Sequence, residues 1–291
     1  MKEIRRLIEV MLPQQEHLDA LAVGVIDFAL GNFEITGDVR FSYDLASVTK
    51  VLGNAAVYAL KPAAFTTEMR LLLEHRAGLP AWGLLPNPGW RDIILSYAPK
   101  SAETLYSDFS AMRVSLELEK LGLAVPQVME SVWDPEVIFW SKYPRRHFSP
   151  KTGERGGYGI YGDVHDPNAW VIKEWCGHAG LFGTVSGVCR TLLKLETQTG
   201  FIAKTKAGLK GHEHRFIYGW DRVENPSNTL AGIGCSANTF GHLGFTGTSV
   251  WIDADKRKGH VILSNTTRDG WYCKDGLNEM RRAIGECVWK E

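Results

Sequence analysis

The segments with strand character lie at the two ends of the chain, and this limits the folds that the sequence can adopt. Near the start, "LAVGVIDFAL" (21–30) and "NFEITGDVRF" (32–41) are predicted strands. The other predicted strands are "RFIYGWDRV" (215–223), "FGHLGFTG" (240–247), "TSVWIDADK" (248–256) and "GHVILSNTT" (259–267). Because strands so far apart must pair across a long insertion, we expect one antiparallel sheet built from both ends of the chain.

Helical periodicity completes this outline. Apolar residues recur at helical spacing near residues 4–11 and 277–288, and a further helix is predicted from Ser47 to about Leu60. The predicted fold class is therefore α/β of the α+β type. It has about five antiparallel strands flanked by the terminal helices, and a mainly helical lobe is inserted in the middle. We expect a single domain over residues 1–291, with a sheet lobe at about 1–60 and 215–291 and a helical lobe at about 61–214.

Composition excludes several classes of function. Of the 291 residues, 33 are Lys or Arg and 33 are Asp or Glu, so the net charge is zero and neither a nucleic acid nor a membrane surface is an expected partner. The five cysteines are widely spaced without a C-x-x-C pattern, which favours free thiols. The first residues, "MKEIRRLIEVMLPQQEH", lack the features of a signal peptide, so we expect a cytoplasmic protein. The oligomeric state is not predicted.

The stretch "LASVTKVLG" (45–53) contains the first candidate for catalysis. Ser47 and Lys50 are three residues apart, which puts both on one face of a helix. A helix N-terminus favours negative charge, and a desolvated lysine can take the proton of a serine hydroxyl. The alternative is a helix cap followed by a solvated lysine, and the tetrapeptide alone favours that alternative because short motifs match often by chance.

Two further patterns alter this balance. "LYSDFS" places Tyr106 and Asp108 before a predicted helix, and "GHLGFTGTS" places His242 and Gly244 in a predicted strand. The order S-x-x-K, Y-x-D, H-x-G resembles that of the penicillin-recognising serine hydrolases in the branch with class C β-lactamases, DD-peptidases, D-aminopeptidases and esterases. The flanking segments "LLLEHRAGLPAW", "GDVHDPNAW" and "GHAGLFGT" resemble this family too, so that the likeness runs from about residue 20 to residue 266.

The resemblance implies a β-lactamase/transpeptidase-like fold and a role for each matched residue. Ser47 would attack the substrate carbonyl and carry the acyl group. Lys50 and Tyr106 would share the general base and acid duties, and which of them takes the proton stays open. His242 would occupy the place of the third-motif cation, near the substrate carboxylate or the tyrosine. The backbone N–H groups of Ser47 and Phe245 would form the oxyanion hole.

The remaining site residues are also implied by the resemblance. Asp108 stands where Asn is common and would position Lys50 or the substrate, while Gly244 belongs to the third motif. Asp166 and His178 are expected in the substrate pocket. Leu243 replaces a hydroxyl residue that can bind a substrate carboxylate, which makes recognition of β-lactams or D-Ala-D-Ala less secure. Together with the missing export signal, this favours an esterase, amidase or peptidase acting on a small molecule or peptide.

Two other functions remain open. The protein can be a catalytically silent relative that binds a ligand in the same cleft. It can also be a metallohydrolase, since Asp163, His165 and His178 supply carboxylate and imidazole ligands. The same loop side chains also suit bonds to local backbone, and we expect neither a metal nor a cofactor.

Aromatic residues and long loops bear on specificity. The tryptophans that could wall an apolar pocket are Trp82, Trp90, Trp133, Trp140 and Trp170, although core packing is the expected role of most of them. The loops at 125–180 and 200–215 are the expected determinants of specificity. His75 is interpreted as a structural cation near a helix end.

Overall fold

The main sheet of the computed structural model, which describes residues 1–144, 148–270 and 274–290, has seven antiparallel strands. In chain order they are β1 (Leu21–Asp27), β2 (Asn32–Gly37), β8 (Phe216–Ile217), β9 (Trp220–Arg222), β10 (Thr239–Leu243), β11 (Ser249–Asp253) and β12 (Lys258–Ser264). Across the sheet the order is β2-β1-β12-β11-β10-β9-β8. The pairing of β1 with β12 joins the two ends of the chain, from Leu21 opposite Ser264 to Asp27 opposite Lys258, as the sequence predicts.

The number of strands differs from the expected five or so. Residues 216–222 form two short strands instead of one, because Tyr218 and Gly219 both have positive φ angles, 52° and 91°, and reverse the chain. Five further strands lie between β2 and β8 in the sequence, namely β3 (Tyr43–Asp44), β4 (Val137–Phe139), β5 (Lys151–Arg155), β6 (Tyr158–Tyr161) and β7 (Leu181–Gly183). They form a three-stranded sheet, β3-β7-β4, and the hairpin β5-β6.

Helices cover both faces of the main sheet and fill the middle of the chain. They are α1 (Lys2–Met11), α2 (Val48–Lys50), α3 (Ala56–Leu60), α4 (Thr67–Leu73), α5 (Trp90–Ser96), α6 (Asp108–Lys120), α7 (Val125–Val128), α8 (Pro167–Ile172), α9 (Val185–Thr199), α10 (Phe201–Leu209) and α11 (Asp275–Lys290). A wide π-helical turn, Val51–Ala55, joins α2 to α3, so the predicted helix from Ser47 to Leu60 is continuous. The division of the chain into two lobes stays a prediction.

Alternation along β1 separates two apolar cores. Leu21 and Val23 pack with α1 and α11 on one face of the sheet. Ala22 and Ile26 belong to the larger core on the other face, where α9 lies. Both faces are thus covered, which explains why β1 is nearly continuously apolar. Within the described residues, no helix has the length and apolar character that crossing a membrane requires.

The closing helix gives a test of this packing. Ile284 on α11 is 1% exposed, inside the core between α11 and the sheet. We expect Ile284→Ala to lower the free energy of unfolding by about 2–4 kcal/mol, because the substitution removes buried methyl groups and leaves a cavity. Denaturant titration measures this. The exposed Arg282→Ala on the same helix is the control, with an expected change within about 0.5 kcal/mol; equal effects of the two variants would contradict the packing described.

Candidate active site

A buried carboxylate shapes the turn that presents Ser47. Ala46, just before Ser47, has a φ of 45°, in the left-handed region that is unusual for alanine. The Asp44 carboxylate holds this turn, since it accepts the Ala46 N–H at 2.8 Å through Oδ1 and the His165 N–H at 2.7 Å through Oδ2. Asp44 therefore ties the Ser47 turn to the 163–166 loop. Burial raises the pKa of Asp44 to about 6, although the two N–H groups oppose this shift.

The Lys50 ammonium lies at the centre of the site. Its Nζ is 2.8 Å from Ser47 Oγ, 3.0 Å from the His178 carbonyl oxygen and 2.8 Å from Asp108 Oδ1. The ammonium thus donates hydrogen bonds to the serine hydroxyl and to the carbonyl oxygen, and its charge is balanced by the ion pair with Asp108. Burial by itself lowers the pKa of Lys50, but the negative charge of Asp108 outweighs burial and holds it above its ordinary value. The sequence predicts a lysine with a lowered pKa; the carboxylate at position 108 reverses that shift.

The second motif is held in place by its own backbone. Ser107 caps α6 by accepting the Ser110 N–H at 2.9 Å, and its hydroxyl donates to the Pro80 carbonyl at 2.6 Å. The Ser107 N–H donates to His75 Nδ1 at 3.1 Å. These bonds fix the residues on either side, Tyr106 and Asp108, which both face Lys50. Burial raises the pKa of Tyr106, and its hydroxyl interacts with Lys50 and Ser47.

Two buried histidines flank Tyr106, and both are neutral. His242 lies 5.8 Å from the Tyr106 ring and His75 lies 4.7 Å from it, measured between ring centroids. Burial and the nearby Lys50 charge lower the pKa of His242 to about 3, and they hold that of His75 well below its usual value. His242 is near the tyrosine, as the sequence predicts, but it is an uncharged imidazole where a cation is predicted. His75 is likewise an acceptor for a backbone N–H and not a cation at a helix end.

The third motif packs directly on the Ser47 turn. Thr246 Oγ1 donates to the Asp44 carbonyl at 2.7 Å, and Thr248 Oγ1 donates to the Leu45 carbonyl at 2.9 Å. A Cβ at Gly244 would meet Thr248 Oγ1 at 1.9 Å and the Leu45 oxygen at 2.7 Å. Glycine is therefore required at position 244, because the strand end and the serine turn touch there.

A second ion pair lies opposite the first. His178 Nε2 is 2.8 Å from Asp166 Oδ1, and the same Asp166 oxygen caps α8 by accepting the Ala169 N–H at 2.8 Å. Although burial disfavours charge on both groups, their mutual attraction outweighs it. The pKa of Asp166 falls to about 2, and that of His178 lies well above its ordinary value. The pair is thus a carboxylate and an imidazolium at neutral pH.

These groups surround a cavity of about 450 Å³. Its lining residues are Ala46, Ser47, Trp82, Tyr106, Asp108, His165, Asp166, Pro167, His178, Ala179 and Phe245. Trp82 is the one tryptophan of the five candidates that lines it. Trp90 and Trp140 are buried in the core, and Trp133 and Trp170 pack against that core. The volume is in the range of small-molecule sites.

The metallohydrolase hypothesis requires side chains that lie close enough together to ligate a metal. Within the described part of the chain, the group close enough to hold a metal is Asp108, Asp166 and His178, whose ligand atoms lie within 4.8 Å of one another. It includes neither Asp163 nor His165 of the predicted set. His178 Nε2 is the protonated partner of Asp166 in an ion pair, and an imidazolium cannot ligate a metal. The charge state of these residues therefore does not fit a bound cation.

A protein-family model matches most of the chain. Residues 60–275 match the family model described as "Beta-lactamase". The protein belongs to the beta-lactamase family. The fold is the β-lactamase/transpeptidase-like fold that the sequence predicts. The matched segment starts after Ser47 and Lys50, so the roles of those two residues depend on the geometry described above.

Relatives of known description align with a part of this chain. A "Putative D-alanyl-D-alanine carboxypeptidase" from Salmonella enteritidis PT4 is 34% identical over 118 residues, which cover 36% of this chain and 27% of the relative. The protein of the same description from Salmonella agona (strain SL483) is 33% identical over the same shares. The alignment thus spans about a quarter of the length of these relatives.

Solved structures of the family match nearly the whole chain. A beta-lactamase from Mycobacterium bovis superposes with a TM-score of 0.63 at 19% identity, covering 98% of both chains. A beta-lactamase/D-alanine carboxypeptidase from Pseudomonas syringae gives 0.66 at 11% identity, covering 97% of both. A class C beta-lactamase in complex with cefoxitin gives 0.64 at 12% identity, covering 97% of this chain and 98% of the other. At such identities the likeness concerns the fold alone.

The structure brings most of the predicted site residues together. Ser47, Tyr106, Asp108, Asp166, His178 and Phe245 line one cavity, and Lys50, His242 and Gly244 lie directly behind it. Sequence reasoning missed Asp44 as the residue that holds the Ser47 turn, and it missed the bond from Ser107 to His75. The spacing of Asp44 from Ser47 is a usable signal, because a short acidic side chain often binds backbone N–H groups two residues onward.

The raised pKa of Asp44 predicts a pH-dependent stability. The folded protein keeps the Asp44 proton up to about pH 6, while the unfolded chain releases it near pH 3.8; Asp166 reinforces this shift and Arg155 opposes it. Stability from the neutral carboxyl is therefore present at low pH and lost as pH rises through this window. Relative to Asp44→Asn, which does not titrate, the free energy of unfolding should fall by about 2.4 kcal/mol between pH 4 and pH 7. Denaturant titrations at each pH measure the difference, and a constant difference would contradict the shift.

Proposed function

We propose that the protein hydrolyses an ester or an amide through a covalent acyl-enzyme on Ser47. The observation that carries this proposal is the position of Lys50 Nζ, 2.8 Å from Ser47 Oγ and 2.8 Å from Asp108 Oδ1, two residues that line the cavity. A serine hydroxyl needs a proton acceptor to become a nucleophile. Lys50 supplies a path for that proton, and Asp108 supplies a place for it to go.

The Ser47 hydroxyl proton cannot simply move to Lys50, as it would to an unprotonated lysine. Lys50 is cationic in the resting site, so it gives one proton to Asp108 Oδ1 and takes the Ser47 hydroxyl proton in return. Lys50 stays cationic and Asp108 becomes neutral. Ser47 Oγ forms the bond to the carbonyl carbon, and the carbonyl electron pair moves onto oxygen. When the intermediate collapses, the leaving group departs with the proton returned from Asp108 through Lys50, and water later releases the acyl group by the same route.

Tyr106 and the backbone complete the proposed chemistry. The pKa of Tyr106 is raised, which keeps its phenol protonated, so we assign it as a hydrogen-bond donor to Ser47 Oγ or to the leaving group and not as the base. The N–H groups of Ser47 and Phe245 form the proposed oxyanion hole; both residues line the cavity. His242 is uncharged and orients the Tyr106 ring.

The proposed substrate is a small molecule or a short peptide. The cavity holds about 450 Å³, which suits one acyl group and its leaving group. The Salmonella relatives are described as acting on D-alanyl-D-alanine, and the same acylation chemistry would serve an amide of that kind. No cofactor has a part in the proposed steps.

One prediction of this proposal concerns the nucleophile. Incubation with a fluorophosphonate or an uncharged activated aryl ester should add one phosphonyl or acyl group, detected by intact-protein mass and located on Ser47 by peptide mapping. Ser47→Ala should take up no group and lose at least about a thousandfold in kcat/KM, since it removes the nucleophile.

The control for this experiment is the fold of the variant. Ser47→Ala should keep the thermal midpoint of the native protein within a few degrees. Hydrolysis that persists in this folded variant would refute the acyl-enzyme on Ser47. A folded native protein that takes up neither probe would instead support a silent relative that binds a ligand in the cleft.

The second prediction concerns Asp108. Asp108→Asn keeps the shape of the side chain but removes the proton acceptor and lowers the pKa of Lys50, because a neighbouring negative charge is lost. We expect kcat/KM at pH 7 to fall by about a hundredfold, and the remaining activity to rise toward alkaline pH as Lys50 itself becomes the base. The matched control is Glu119→Gln, which removes one exposed charge from the same helix. An unchanged pH profile in Asp108→Asn would rule out its role as acceptor.

A further inference from the structure

The two ion pairs of the site present the same charge to the cavity. Asp108 and Asp166 line it, and their side chains are 17% and 18% exposed. Their partners lie deeper, since Lys50 is 4% exposed and His178 is 1% exposed. The oxygens of the two carboxylates approach within 4.8 Å of each other. The member of each pair that a substrate meets first is therefore an anion.

The other polar lining groups add no positive charge. Burial lowers the pKa of His165, so this imidazole is neutral at pH 7. The only cation among the described lining residues is His178, which is already paired with Asp166. Lys274 lies 4.0 Å from the Phe245 ring centroid, but it is not among the lining residues. The cavity as described therefore contains no cation that is available to bind a substrate carboxylate.

The rest of the wall is apolar. Trp82 and Phe245 remain 49% and 36% exposed although both are large hydrophobic residues, and both face the cavity. Pro167, Ala46 and Ala179 extend this surface. A ligand that covers exposed aromatic side chains at a concave site binds more tightly, because each Å² of apolar area removed from water contributes about 25 cal/mol of favourable free energy.

We propose that this site selects acyl donors with an uncharged, apolar acyl group and rejects those with a carboxylate on the acyl chain. The inference depends on the acyl-enzyme proposed above and specifies its substrate class. An acyl carboxylate would lie a few ångströms from Asp108 and Asp166 with no free cation to compensate, and such like-charge contacts in a partly dry site are strongly unfavourable. An alkyl or aryl acyl group covers Trp82 and Phe245 at no electrostatic cost.

The test compares two esters with the same leaving group and acyl chains of equal length. These are p-nitrophenyl butyrate and mono-p-nitrophenyl succinate, which differ by a terminal carboxylate. We expect kcat/KM to favour the butyrate by at least about tenfold at low salt. Trp82→Ala should lower kcat/KM for the butyrate mainly through KM, because it removes an apolar contact made in both ground and transition states.

Two further variants test whether the cavity carboxylates cause the preference for butyrate. Asp166→Asn keeps an oxygen to cap α8 but removes one of the two anions, so the butyrate-to-succinate ratio should fall severalfold. Lys274→Gln should leave the ratio unchanged, because Lys274 does not line the cavity. Circular dichroism of each variant checks the fold.

The outcomes separate this inference from the one on which it depends. Succinate turnover equal to or faster than butyrate turnover, with Ser47→Ala inactive, would overturn the selectivity and leave the acyl-enzyme intact. If succinate turnover fell in Lys274→Gln, Lys274 would be the cation that binds the substrate carboxylate. That result would overturn the inference. If neither ester acylates Ser47 in the folded protein, both proposals fail together.

Discussion

The site depends on one buried cation. A lysine that is 4% exposed cannot keep its charge in a protein interior unless acceptors replace the water that it has lost. Lys50 meets this requirement with Ser47, Asp108 and the His178 carbonyl, which come from three separate parts of the chain. Satisfying this ammonium therefore brings the serine turn, the start of α6 and the segment before β7 to one point. The catalytic geometry and the local fold share the same contacts.

The carboxylate at position 108 changes the electrostatics of this arrangement. An amide there would leave Lys50 with a neutral neighbour, whereas Asp108 holds the pKa of Lys50 above its ordinary value. The second pair, Asp166 with His178, repeats the pattern of a buried cation behind a more exposed anion. The two pairs make the site electrically balanced in total but negative on its accessible side. The proposed proton transfer and the proposed substrate selection both depend on this pair of carboxylates.

Much of the site was predictable because its residues lie in short motifs. Ser47 and Lys50 are close in any helix, and the order of the three motifs places Tyr106, Asp108 and His242 with them. Charge states were not predictable in this way. His242 and His75 are neutral and Lys50 keeps its proton, because each pKa depends on burial and on neighbours that are distant in the sequence. The count of strands was also uncertain, since the reversal at Tyr218 has no strong turn signal beyond Gly219.

The sequence by itself determined the strand segments at both ends, the helical middle and the set of side chains expected at the site, because periodicity and motif spacing are local properties. Only the tertiary structure decided that Asp44 spans the Ala46 and His165 N–H groups, that Gly244 touches the serine turn, and which member of each ion pair faces the cavity. Two of these contacts, Asp44 with His165 and Gly244 with the serine turn, join segments more than a hundred residues apart. Their geometry is set by how the sheet and helices pack, and no local pattern of residues specifies it.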